Sequence, residues 1–357
     1  MSLENVDIYK LVPEEIKNLI EKLEQALLVV SNRKNTTSIV IEKELDKIIC
    51  PHCSSSYIVK NGHDKNKVQT YKCKNCNKRF NILTNTIFAN SRLNMKQIEI
   101  FFDCMNNKRS IRATAKLMNV STCTVFTLRH KVLDTLSTLR KTKKLTGEVQ
   151  SDEYYTSINL KGLKRNKMPR FSKPRATKGG SKRGISNHQV CVASAKDEND
   201  KCFFEVVGTG PITSKMVEST LVPKLKNIKC LITDCKSSYE SVAKINKWKL
   251  IQIKSEYHTD EYGNSLAEIN SLHSNLSTFL SVFRGVSTKH LQHYLDWFSF
   301  EKELNYTIDI IKHSITFMKT TMIHNTNINY KNVYNNDSGI DFNAVYSDLN
   351  FTPSLTN

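Results

Sequence analysis

Cys50-Pro-His-Cys53 and Cys73-Lys-Asn-Cys76 set two C-x2-C pairs on either side of nineteen residues. This is the spacing of a four-thiolate zinc site: each pair offers two sulfurs from one tight turn, and a hairpin between the pairs closes the tetrahedron. His52 and His63 stand close enough to compete as ligands, but four sulfurs already complete the shell, so a structural zinc is expected. Lys60, Lys65, Lys67, Lys72, Lys74, Lys78 and Arg79 crowd the same stretch, which suits contact with phosphate. Far along the chain, Asn270 and His273 stand three apart and project from one face of a predicted helix. An amide and an imidazole side by side could help bind a metal, or could equally satisfy backbone groups nearby.

The elements that must position these groups follow from periodicity. Residues 13–30 read as an amphipathic helix with Pro13 in its first turn. SYIVK and VQTYKC form the hairpin around the turn NGHDKN. From Asn94 to Leu139 the pattern is helical. SIRATAKLMNV and STCTVFTLRHKVLDTL resemble a helix-turn-helix, with small Ala113 and Ala115 for close packing, Asn119-Val120 at the turn and Ser121 as cap. Thr122, Thr124, Thr127, Arg129 and Lys131 are then expected to face DNA, and residues 140–144 read as a basic linker.

Residues 148–157 read as a strand carrying Asp152 and Glu153, with Glu153 directed to the opposite face by strand alternation. Residues 161–183 hold ten basic residues and no acidic one, among them Lys164, Arg165, Lys167 and Arg170, a cationic insertion suited to a nucleic-acid strand. HQVCVASA and KCFFEVVG form a second hairpin, and residues 213–226 suit a helix. KCLIT is a short strand ending at Asp234, followed by the helix SSYESVAKINKW and the strand KLIQI. Ile269, Leu272, Leu276, Leu280 and Phe283 make the apolar stripe of the next helix, which Gly285 stops. Ser287 or Thr288 caps a last helix with the stripe Leu291, Tyr294, Leu295 and Phe298. Arg284 and Lys289 between the two are candidate phosphate contacts. Residues 321–357, with nine asparagines and weak periodicity, read as a poorly ordered tail.

This order of strands and helices is that of the ribonuclease-H-like fold, in which the first and central strands lie side by side. Asp152 and Asp234 would then converge although 82 positions separate them. Two converging carboxylates call for a divalent counter-charge, Mg2+ or Mn2+, and metal-assisted phosphoryl transfer is the chemistry such a pair serves. Lys and Arg outnumber Asp and Glu by 53 to 34, a net charge of +19, which points to a polyanionic partner. No apolar run approaches a membrane span, and the first residues lack a signal-peptide layout, so the ten cysteines are expected to be reduced in a cytosolic setting.

CPHC…CKNC, SDEYY around Asp152, LITDCKSSY around Asp234 and INSLHSNLSTFL-x-x-FRGVSTKHLQHYLDWF together resemble the ISXO-like DDE-type transposases of bacterial insertion sequences, which have relatives in Merlin-type elements. The resemblance covers about residues 48–300. It implies Asp152 and Asp234 as the first two metal-binding acids and places Asn270 in the third position, with His273 shortly after. Glu268 stands two residues before Asn270 as a minor alternative. The implied architecture is a multidomain α+β chain. It comprises a helical segment 1–47, a zinc ribbon 48–80, a helix-turn-helix region 92–140, a ribonuclease-H-like catalytic domain 147–310 and the tail. The implied activity is DNA cleavage and strand transfer at terminal inverted repeats, by a homodimer or larger assembly on double-stranded DNA. The implied setting is the bacterial cytoplasm and nucleoid, or the nucleus of a eukaryotic host. The competing readings are an inactive or domesticated DNA-binding protein and a nuclease without strand transfer.

Overall fold

In the computed structural model the described residues are 48–162, 189–254, 259–260, 262–304, Val333 and Ile340. The predicted helix at 13–30, Lys164, Arg165, Lys167 and Arg170, and all but two residues of the predicted tail lie outside them. The chain divides into two compact units, Met1–Thr84 with Asn90–Glu99, and Asn85–Ala89 with Ile100–Asn357.

The first unit holds a three-stranded antiparallel sheet, β1 (Ile58–His63), β2 (Gln69–Cys73) and β3 (Arg79–Asn81), in the order β1-β2-β3. Asp64 makes the hairpin turn: its Oδ1 accepts from the backbone N–H groups of Asn66 and Val68 at 2.8 and 3.0 Å. The buried core of this sheet is Cys50, Cys73 and Phe80, with Tyr71 stacked on Phe80. So small a core does not offset the entropy of ordering the chain, which is the usual reason for a metal staple.

Helix α1 (Met95–Asn106) crosses the boundary between the units, and α2 (Ile111–Met118) and α3 (Thr122–Thr142) follow in the second. Asn119 ends α2 in the left-handed region at φ 52°, and the Ser121 hydroxyl accepts from the Thr124 N–H to start α3. That is the turn read from the sequence. The expected basic linker at 140–144 is corrected: α3 runs through it to Thr142. Arg140 pairs with Glu205 at 2.6 Å and Asp296 at 2.9 Å, and Lys143 with Glu303 at 2.5 Å. Its acidic partners lie far along the chain, so charge alone made the run look solvated.

The large sheet comprises β4 (Leu145–Ser157), β5 (Gln189–Asp197), β6 (Cys202–Thr209), β7 (Leu225–Asp234) and β8 (Leu250–Ile253), in the order β6-β5-β4-β7-β8. The first three strands are antiparallel, and β7 and β8 run parallel to β4. The helix expected at 213–226 is shorter, α4 (Ser214–Thr220), because Pro223 sits in a single 3-10 turn and the chain is already in β7 at Leu225. Helix α5 (Ser237–Ile245) joins β7 to β8.

Alternation along the strands sorts the two faces. Leu145, Val149, Cys191, Ala193, Phe203 and Leu231 pack with Val217, Tyr239 and Val242 of α4 and α5. On the other face lie α6 (Ala267–Val282) and α7 (Leu291–Glu303), where Phe204 meets Phe298 edge-on and the Ile269 N–H donates to Gln150 at 3.1 Å. The stripe expected on α6 is shifted: Phe279 is buried with Ile269, Leu272 and Leu276, whereas Leu280 and Phe283 are only partly so. Helix α7 carries its predicted stripe and is otherwise buried from Leu291 to Glu301 except at Gln292. It is a central element, not an amphipathic surface helix. None of the described helices is long and apolar enough to cross a membrane.

Candidate active site

β4 and β7 are neighbours and parallel, with Gln150 opposite Ile232. Two residues further on each strand stand Asp152 and Asp234, so the register sets the two acids side by side near the carboxyl end of β7. Carboxylate oxygens of Asp152, Glu153 and Asp234 all lie within 4.8 Å of one another. Glu153 does take the opposite face, buried against the α5 side. It still belongs to the cluster, with Lys236 bridging its carboxylate to those of the two aspartates.

Lys236 opens α5, two residues after Asp234. Its ammonium lies 2.7 Å from Asp234 and 3.6 Å from Asp152, and hydrogen-bonds Glu153. Burial works against the charge on Lys236, but the carboxylates of Asp234 and Glu153 outweigh it and hold the group well above the usual lysine range. Burial likewise pushes the Glu153 carboxyl upward, opposed by Lys236. The sequence reading missed this lysine; the signal was there, a cation two positions after the second acid.

His273, on α6, faces Asp152 across the sheet. The Ser194 hydroxyl donates to the Asp152 carbonyl at 2.7 Å and stands 2.6 Å from His273 Nε2. With its only proton committed, Ser194 must accept from Nε2–H, which fixes the neutral tautomer and leaves the Nδ1 lone pair 3.9 Å from Asp152 Oδ2. Burial keeps His273 below the usual histidine pKa, against the pull of Asp152. The Tyr154 ring packs against the imidazole, with its hydroxyl on Ser277 at 3.1 Å. Asn270 is exposed, one turn before His273 on the same helix. Glu268 is engaged elsewhere, bonded to Lys196 at 2.6 Å.

The four cysteine sulfurs also lie within 4.8 Å of one another, with Cys50–Cys76 and Cys53–Cys73 both 3.6 Å apart. Zinc–sulfur bonds of about 2.3 Å in a tetrahedron place sulfurs roughly 3.8 Å apart, so this cluster is compatible with zinc. A backbone N–H from Cys76 lowers the Cys73 thiol to about 6, while Cys53, whose sulfur pairs with it, is raised to about 12, so the proton the two share rests on Cys53.

Among the residues expected to face DNA, Thr122 and Thr124 are exposed and Lys131 partly so. Arg129 is a correction: it is 1% exposed, donates to the Arg109 carbonyl at 2.6 Å and lies over Trp297. Thr127 is buried as well. Both sit on the inward face of α3, which a surface motif laid over the sequence does not reveal. Arg284 is exposed, whereas Lys289 is buried and donates to the Gly162 carbonyl at 2.9 Å.

Residues 144–303 match the family described as the ISXO2-like transposase domain. A protein of the transposable element ISH50 from Halobacterium salinarum, itself described as uncharacterized, is 25% identical over 280 residues, 77% of this chain and 92% of that one. Solved structures of the Mos1 strand transfer complex and of the Mos1 mariner paired end complex with Mn are 13% and 11% identical. They cover 63% and 64% of this chain, and 76% and 79% of theirs. Their TM-scores are both 0.24. The segment 144–303, with both aspartates on adjoining strands, is thus the part of the chain that is similar to the ISXO2-like transposase domain.

Proposed function

We propose that this chain is an insertion-sequence transposase that cuts DNA at the terminal inverted repeats of its element and joins the freed 3′ end to a target, with the α/β unit as a ribonuclease-H-like catalytic domain. The single observation that supports this best is the pairing of Asp152 and Asp234 on adjacent parallel strands. The sheet order β6-β5-β4-β7-β8 is the order such a domain requires.

The residues fit a divalent ion. Three carboxylates face one ammonium, and Asp234 Oδ1 and Glu153 Oε1 are buried without a hydrogen-bond partner among the described residues. Asp152 and Asp234 would hold Mg2+ or Mn2+, with Asn270 as a neutral third ligand. When bound, the ion activates an attacking oxygen and stabilises the leaving oxygen of an in-line phosphoryl displacement. Lys236 holds the three carboxylates together. Ser194 holds the proton on His273 Nε2, so Nδ1 is the atom that can take a proton beside Asp152. The cysteine unit and α2–α3 would recognise the repeats through Thr122, Thr124 and Lys131, with Lys164, Arg165, Lys167, Arg170 and Arg284 on backbone phosphates. Two ends must be held together, so a dimer or larger assembly on DNA belongs to the proposal.

Asp152→Asn and Asp234→Asn variants are expected to lose cleavage of repeat-ended DNA by more than about 100-fold in Mg2+ or Mn2+ while still binding it. Cleavage equal to the parent's would remove the assignment. The exposed amide at Asn270 favours one second reading, a DNA-binding protein without chemistry. A parent protein that binds repeats yet cuts in neither metal would establish that instead.

A further inference from the structure

His130 on α3, His290 in the 3-10 turn Thr288–His290 and His293 on α7 form a cluster that the transposase chemistry does not use. A ring nitrogen of each lies within 4.8 Å of the other two, and all three residues are buried, at 1%, 4% and 7% exposure. His130 and His293 face each other through their Nδ1 atoms at 2.8 Å. His290 has no hydrogen-bond partner for either nitrogen among the described residues. Its ring lies 4.1 Å from that of His130, and Phe126 closes over both.

As a purely structural cluster this is costly. A buried imidazole with both nitrogens unpaired forfeits the hydrogen bonds it made with water, and a leucine would fill the space without that loss. Burial keeps His130 and His290 in the neutral form, with lone pairs to donate. The environment supplies a second element of a metal site. His293 Nε2 lies 3.8 Å from the Asp134 carboxylate, beyond hydrogen-bond distance but on the side an outer carboxylate takes behind a ligating histidine, with Nδ1 turned to the cluster.

We propose that His130, His290 and His293 bind a divalent transition ion, with zinc the best match, and that the ion clips α3 to α7. Imidazole nitrogens suit zinc over magnesium, and three protein ligands with one exchangeable position is an established zinc stereochemistry. Zinc–nitrogen bonds of about 2.0–2.1 Å set nitrogens roughly 3.3 Å apart, so His130 and His293 need separate by only about half an ångström. A cavity of about 780 Å³ lined by His130, His290, Arg129, Arg284 and Lys289 adjoins two of the three histidines and would be the side from which a fourth ligand enters. Those cations favour an anionic fourth ligand, hydroxide or phosphate. The ribbon is not involved, since its four sulfurs already complete a tetrahedron.

The test is the metal content of the full chain, purified with zinc and dialysed against a weak chelator. The parent should retain about two zinc ions per chain, one on the cysteines and one here, and His290→Asn about one. Added zinc should raise the melting temperature of the parent more than that of His290→Asn. A parent holding one zinc, or a variant holding as many as the parent, would overturn the site. If His290→Asn does not fold, the parent's count of one or two decides alone.

Discussion

The carboxylate cluster at the end of β4 and β7 and the histidine cluster between α3 and α7 lie in one unit and are built on opposite electrostatic plans. Asp152, Glu153 and Asp234 surround an ammonium that stands where positive charge is needed, and their side chains remain partly open to solvent except at Glu153. The histidines are deeply buried and only partly hydrogen-bonded. The first arrangement is stable without an ion and must exchange part of its lysine's attraction to accept one. The second carries unsatisfied atoms that an ion would satisfy. A hard cation on oxygen and a borderline cation on nitrogen would be the respective partners.

Three substitutions sharpen this contrast. Lys236→Met should be the most damaging, leaving three carboxylates uncompensated. A loss of roughly 2–3 kcal/mol is expected, between the cost of breaking a buried pair and that of an exposed one. Mn2+ should restore part of it, as read by denaturant unfolding with and without the metal. Stability unchanged in chelator would mean that solvent, not Lys236, balances the acids. His290→Leu should behave in the opposite sense, stabilising the chelated protein by about 1–2 kcal/mol through removal of orphaned nitrogens. In zinc the advantage should vanish; an equal loss under both conditions would reduce His290 to packing. Ser194→Ala should have the smallest effect on folding, about 1 kcal/mol. It should flatten the acid limb of the cleavage pH profile by freeing the His273 tautomer, and an unmoved profile would separate Ser194 from the chemistry.

Parts of this site are legible in residue order and parts are not. The cysteine pairs announce themselves because they flank a single hairpin, where spacing nearly determines geometry. Strand periodicity and the order of elements bring Asp152 and Asp234 together on paper. Lys236 is two residues from Asp234, but nothing in a sequence says which carboxylates a long cation will reach. Arg129 and Arg140 show the same limit. Both look like surface charge, and both are held by groups from other elements.

What the sequence determined by itself is local: the turns at Asp64 and Ser121, the strands ending in acids, and the zinc spacing. These follow from short-range sterics, hydrogen bonding and periodic burial. The tertiary structure alone decided which face of α3 is buried, that Glu153 and Lys236 join the acids, and that His130 meets His290 and His293 from some 160 positions away. Those outcomes depend on how packed elements align, and a charged or imidazole side chain takes its role from the neighbours that packing brings to it.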